Sequence, residues 1–311
     1  MPKTKILLDT DIGTDSDDAV CLAYLLAHAE VELVGITTVG HDAAVRADIA
    51  KAICAVFGRA DIPVAAGADR ALLLNPYWDG HRVNQHVILD GPPQWRAARP
   101  AAAVELMRSC LDAAPGEVVV LTVGPLTNLA LLATNEPAAM ARAKAVFSMA
   151  GAPNLDPSHA RMECNGMLDG AATGIAFQRQ LNAHTICPVG ITGGRGLSHD
   201  EARRMLAGDR LAVVRRCCDA WDEARGRRGT GLHDPFTAAC ILDDSFCTWA
   251  QGYFHVEIRD HDLKEGRAYE RGRVAAATYF EERKDGPHRM AVEADYERCV
   301  LHLEQTLDRV R

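Results

Sequence analysis

No apolar run in this chain approaches the roughly eighteen residues that a membrane-crossing helix requires, so a spanning segment is not expected. The N-terminus passes from Lys3-Thr4-Lys5 through three aliphatic residues straight into acid. That is too short for the apolar stretch of a secretory signal, and a cytoplasmic protein is expected. There is no Cys-x-x-Cys, and the ten cysteines lie scattered through apolar segments, so they read as reduced core residues and not as a disulfide framework. A basic run interleaved with aromatics is also missing. The densest basic spot, Arg225-Gly226-Arg227-Arg228, reads as a solvated loop, and a net charge of −8 has the wrong sign for a phosphate backbone, which excludes nucleic acid as a partner. Internal repeats and low-complexity tracts are lacking too.

What remains is a soluble chain of 311 residues, 48% of them hydrophobic, long enough to bury a large core. Lys5-Ile6-Leu7-Leu8 and Val31 to Thr38 read as strands, Ala43 to Phe57 as a helix, and Ile62-Pro63-Val64 as a short strand. Val118 to Val123 reads as a buried strand and Leu126 to Ala133 as the helix after it. Continuous aliphatic strands alternating with helices predict an α/β fold with a central, mostly parallel sheet flanked by helices. Residues 68–100, rich in Pro, Gly, Trp and His, and residues 192–197 read as loops. Long irregular stretches inside such folds are lids or substrate loops, so one domain is expected over 1–311.

Asp9, Asp11, Asp15, Asp17 and Asp18 place five carboxylates within ten residues, between the first strand and the helix-compatible stretch from Ala19 to Leu26. Carboxylates this crowded repel one another strongly at low local dielectric. Capping and the helix dipole account for two of them. Five call for a cation among them, and a hard divalent ion with oxygen ligands, Ca²⁺ or Mg²⁺, is the natural one. In parallel sheets ligands bind beyond the carboxyl ends of the strands, which is where this loop and Gly124-Pro125 both fall.

Asp9-Thr10-Asp11-Ile12-Gly13, followed by Asp17-Asp18-Ala19, resembles the Asp-x-Asp-Pro-Gly-x-Asp-Asp-Ala signature of the nucleoside hydrolases, the inosine/uridine-preferring ribohydrolases. Ile12 stands where Pro is usual, and two extra residues lengthen the loop, a form resembling a long-loop subgroup. Further segments match in order: Val123-Gly124-Pro125-Leu126-Thr127-Asn128; Glu163-Cys164-Asn165 with Leu168-Asp169-Gly170-Ala171-Ala172; and Leu232-His233-Asp234-Pro235. The resemblance implies a Rossmann-like fold and hydrolysis of a ribonucleoside to base and ribose, by a dimer or tetramer of identical chains.

It also implies roles. Ca²⁺ is held by Asp11, Asp18, Asp234 and the carbonyl of Val123, with Asp11 also the base that activates water. Asp17, Glu163 and Asn165 bind the ribose, Glu163 and Asn165 pointing the same way from an extended segment. The lengthened loop leaves the choice among Asp15, Asp17 and Asp18 open at each place. His233 stands beside the base as proton donor. Thr37-Thr38-Val39-Gly40-His41-Asp42 lies where the family has Thr-Thr-Val-x-Gly-Asn, which makes Asp42 a pocket residue. His86, Trp78 and His81, in the irregular loop, are candidates for contact with the base, and Asn154 for a further ribose contact.

Two rival readings stand beside this one. Leu7-Leu8-Asp9-Thr10-Asp11 also resembles the opening of haloacid-dehalogenase-type phosphatases, with Asp243-Asp244 holding Mg²⁺, although Gly13 stands where that motif wants Thr or Val. The other is a non-catalytic calcium or ribose binder of the same fold.

Overall fold

The structure, a computed structural model, describes residues 2–73, 82–153, 163–178, 181, 183–226, 229–261 and 273–311. Nine strands form one sheet: β1 Thr4–Thr10, β2 Val31–Thr38, β3 Val64–Ala66, β4 Val118–Thr122, β5 Ala145–Met149, β6 His184–Cys187, β7 Cys247–His261, β8 Arg273–Glu282 and β9 His288–Ala294. Their order is β3-β2-β1-β4-β5-β6-β9-β7-β8. β1 to β6 and β9 pair in parallel, while β7 runs antiparallel to both β9 and β8.

The aliphatic runs make these strands because both faces of the sheet are covered. Along β1, Ile6 and Leu8 enter one core and Leu7 the other. Along β4, Val119 and Leu121 oppose Val118 and Val120 in the same way. The first core is closed by helices Asp17–Ala27, Ala43–Val56, Ala212–Arg225, His233–Leu242 and Tyr296–Leu307. The second is closed by Pro100–Ala113, Thr127–Asn135 and Gly170–Gln178. Two-sided burial is what turns an alternating side-chain pattern into a continuous apolar run.

The chain leaves β1 toward β2 on one side and returns to β4 on the other, so the strand order reverses between β1 and β4. Crossover loops diverge at such a point and open a crevice at the carboxyl ends of the strands. β1 delivers Asp11 there and β4 delivers Val123.

The expected strands and helices fall within a residue or two of those observed. β3 starts at Val64, after Pro63, whose carbonyl accepts from Ile36 N at 2.9 Å. Among the described residues of 68–100, one 3-10 turn, Gln85–Ile88, interrupts the irregular path, and the short helix Val189–Thr192 precedes the second expected loop. At the far end of the sheet, His184 and His288 are buried with their rings 5.7 Å apart, beside Phe177 and Phe254.

Candidate active site

The acidic loop is shaped by side chains that hand its acids to different neighbours. Asp9, the last acid still on β1, is fully buried. Its Oδ1 accepts from Thr37 Oγ1 at 2.6 Å and from Asn128 Nδ2 at 2.8 Å. Asn128 also donates to Thr38 O and accepts from Ala68 N, so the Gly124-to-Asn128 turn is bolted to two neighbouring strand ends. Burial pushes the Asp9 carboxyl up to about 7. Asp9 is therefore a strut behind the site.

Asp11 sits where β1 ends, and Gly124 is what lets β4 pass so close. A Cβ on Gly124 would stand 2.9 Å from both Asp11 N and Asp11 Oδ1. Gly13, at φ +116°, turns the loop toward the helix Asp17–Ala27. At that helix start, Thr10 Oγ1 donates to Asp18 Oδ1, Ser16 Oγ meets Thr230 Oγ1 at 2.5 Å, and Asp234 N lies 3.4 Å from Asp17 Oδ2.

These ties bring Asp17, Asp18 and Asp234 together, with one carboxylate oxygen of each within 4.8 Å of the others. All three are buried. Burial and mutual repulsion raise their carboxyl groups: Asp17 to about 6, and Asp18 and Asp234 well above the usual range. Asp11 is pushed up to about 6 and Asp15 to about 7, burial again leading, with the charge of Arg46 pulling Asp11 back. Ionised together, such groups need a cation among them, and an all-oxygen set is the donor chemistry of a hard divalent ion. The residues fit one.

Asp11, Asp15, Asp17, Asp18 and Asp234 line one cavity of about 470 Å³, with Val123, Glu163, Asn165 and His233 on its walls. That is ample for a nucleoside-sized ligand. The structure thus brings Asp11, Asp17, Asp18, Val123, Glu163, Asn165, His233 and Asp234 to one cavity, together with Asp15, the other acid that the lengthened loop left open. It also redistributes them. Asp17, expected on the ribose, joins Asp18 and Asp234 in the cluster. Glu163 is not on an extended segment paired with Asn165. It caps the helix Cys164–Leu168, accepting from Asn165 N, Gly166 N and Gly151 N at 2.5, 2.9 and 2.8 Å, because a carboxylate is the best partner for the bare N–H groups of a helix start. Asn165 turns its amide to the carbonyls of Val123 and Met149, at 2.8 and 2.9 Å.

His233 opens the helix His233–Leu242, and its Nδ1 lies 2.9 Å from Thr192 Oγ1, leaving Nε2 for a ligand. Burial lowers its affinity for a proton, and the charges of Asp15 and Glu163 restore part of it.

Two expected pocket residues are not on the cavity wall. Asp42 stands before the helix Ala43–Val56 at φ 66°, and this left-handed turn sets its carboxylate 2.9 Å from His41 Nδ1. His86, in the 3-10 turn, packs edge-on against Trp95 at 5.9 Å. Trp78, His81 and Asn154 lie outside the described residues. The sequence reading missed Thr14, Met149, Trp221 and Gly231 on the wall, and took Arg225, which ends the helix Ala212–Arg225 and also lines the cavity, for part of a solvated loop. Arg225 stacks over the Trp221 ring at 4.4 Å. An i, i+4 spacing on a charged helix was the one signal they gave.

The phosphatase reading fails on geometry. Asp243 and Asp244 follow the carboxyl end of the helix whose start carries Asp234, roughly 15 Å away at 1.5 Å per residue. They pair with Arg298 at 2.5 Å and Arg289 at 2.7 Å.

Fold and site define an α/β protein whose pocket, at the strand-order reversal, is floored by carboxylates and suited to a hard cation and a polar ligand. The model of the inosine-uridine preferring nucleoside hydrolase family matches residues 6–300, and the chain belongs to that family of enzymes. It is similar to pyrimidine-specific ribonucleoside hydrolase RihA of Escherichia coli, at 29% identity with 82% of this chain and 84% of that protein covered. It is also similar to uridine nucleosidase 1 of Arabidopsis thaliana, at 27% identity with 82% and 79% covered. The structure of a purine-preferring ribonucleoside hydrolase from Gardnerella vaginalis superposes with a TM-score of 0.77 at 22% identity, over 99% of this chain and all of that one, a likeness of fold. Among the described residues, no helix is long and apolar enough to cross a membrane.

Proposed function

We propose that the protein hydrolyses the N-glycosidic bond of ribonucleosides, releasing free base and ribose, and that it does so with Ca²⁺. The observation that carries this reading is the convergence of the buried carboxylates of Asp17, Asp18 and Asp234 to within 4.8 Å on the wall of a cavity that Asp11 also lines. These four carboxylates and the second lone pair of the Val123 carbonyl would hold the ion. When bound, it supplies a charge that orients the ribose hydroxyls and polarises a water.

The chain's own groups account for the rest. Cleavage passes through a state with positive charge on the ribose ring, to which a floor of carboxylates is complementary. Asp11, which lines the cavity and is closely passed by Gly124, takes the proton of the attacking water. The carboxylate of Glu163, lining the cavity beside its capping role, and the side-chain oxygen of Asn165 face the sugar and hold it for attack. His233, steadied through Thr192, is the proton donor to the departing base. Ten free cysteines fit a reducing cytoplasm.

A panel of purine, pyrimidine and nicotinamide ribosides, assayed for free base before and after exhaustive chelation, tests this. Hydrolysis that disappears on chelation and returns with calcium is expected. Full activity in protein shown to hold no divalent ion would refute the calcium part, and release of base from no riboside would refute the whole.

A further inference from the structure

The acidic loop has a second cation in reach that the proposed chemistry does not use. Arg46, on the helix Ala43–Val56, has no exposed surface and is the largest side chain so enclosed among the described residues. Its Nη1 donates to the carbonyl oxygens of two consecutive loop residues, Asp11 and Ile12, and its Nε donates to His41 O at 2.8 Å. Gly40 turns the chain beside it at φ +96°, a left-handed conformation that favours glycine. The carboxylates of Asp11, Asp18 and Asp42 all lie near enough to stabilise its charge.

A guanidinium is costly to bury, and it persists only where hydrogen bonds and opposite charge compensate. Here both are spent on one segment. Two carbonyls of adjacent residues and a third from the next strand's loop require a planar fork of donors, which an ammonium cannot reproduce. Asp11 lines the cavity, and Arg46, which does not, grips the carbonyls of Asp11 and Ile12.

We propose that Arg46 is a positioning residue that serves the site from behind. Its fork fixes the Asp11–Ile12 backbone and through it the Asp11 carboxylate. Its charge offsets part of the repulsion among the acids and competes with the ion in front of them, holding the calcium affinity down. This rests on the calcium-dependent reading above.

The two effects pull apart in a variant. Arg46→Gln removes the charge and most of the fork: calcium affinity of the metal-free protein, read by calorimetry, should rise about tenfold, while kcat of the calcium-saturated enzyme should fall about 100-fold, the scale of a misplaced catalytic group. A merely structural arginine would lower both together. Arg46→Lys keeps the charge and loses the fork, so its calcium affinity should stay within about threefold of the parent and its kcat should still drop tenfold or so. The lysine variant also covers the case in which the glutamine variant does not fold. Joint loss of affinity and turnover, or a lysine variant with parental kcat, overturns the proposal while leaving the calcium-dependent activity standing. Failure of the parent protein to bind calcium or cleave a riboside removes both.

Discussion

The side-chain amide of Asn165 donates to the carbonyl oxygen of Val123 across 2.8 Å, joining a residue that faces the proposed ribose to one that faces the proposed ion. The same amide holds Met149 O, so the ends of two neighbouring strands, β4 and β5, meet on one side chain. Asn165→Ala leaves two buried carbonyls without this donor, at roughly 1–3 kcal/mol for each group left unsatisfied. The melting temperature should fall by several degrees and kcat/KM should drop steeply. An unchanged melting temperature would show that the amide does not brace the crevice.

Asp11→Asn should abolish turnover with every substrate, because water must be activated whatever leaves. His233→Ala should slow inosine and spare a p-nitrophenyl riboside, whose leaving group departs without a proton. Equal losses on the two substrates would remove His233 from the acid role.

Strictness toward the sugar is expected to exceed strictness toward the base. Sites built around a substrate hydroxyl reject analogues lacking it by roughly 10⁴ to 10⁵, against about 10 to 200-fold for a methylene-sized change in an apolar pocket. Specificity constants for inosine and 2′-deoxyinosine decide this, and values within about tenfold of each other would mean that the 2′ hydroxyl is not held.

Acidification should cost the protein stability at its buried histidine pair, against the raised carboxyl groups of Asp9, Asp11, Asp15 and Asp17, which act in the opposite sense over the same range. Burial lowers His288 to about 4, and His184 is lowered as well, by burial and by its neighbour His288. At these two positions the unfolded chain, with ordinary histidines near 6.5, binds more protons than the folded one below that pH, so their contribution to stability is complete above about 6.5 and is lost as pH falls toward 4. For His288 the loss is on the order of 3 kcal/mol over that window. Thermal melts from pH 7 to pH 4.5 isolate the histidine part by difference: His288→Gln should gain stability relative to the parent as pH falls. A variant with the parental slope would clear His288 of the effect.

The sequence was most readable where burial is two-sided. β1, β2 and β4 are aliphatic runs that little else could satisfy. β7 and β9 escaped it because their antiparallel strands carry polar residues such as Gln251, Arg289 and Glu293 on an exposed face. At the site, Asp11, Asp18, Val123, Asp234 and His233 were legible as motifs. What no motif carries is the choice of partner. The capping of a helix by Glu163, the turn of Asn165 toward Val123 and the gathering of Asp17 with Asp234 are settled by residues from 2 to 217 positions away. Arg46 was invisible for a related reason: an arginine in a helical pattern reads as solvent-facing, and only the fold encloses it.

The contact between Ser16 and Thr230 spans 214 residues of chain, and Asp234 lies beyond it. On the ribosome, the acidic loop emerges long before the helix that completes its cation site. Arg46, 35 residues after Asp11, is the counter-charge that a nascent chain can use first. Until the last third of the polypeptide has been made, the loop has an internal guest and no complete place for an external one, so capture of the proposed ion would be a late event in the life of each molecule and a report that its C-terminal third has docked.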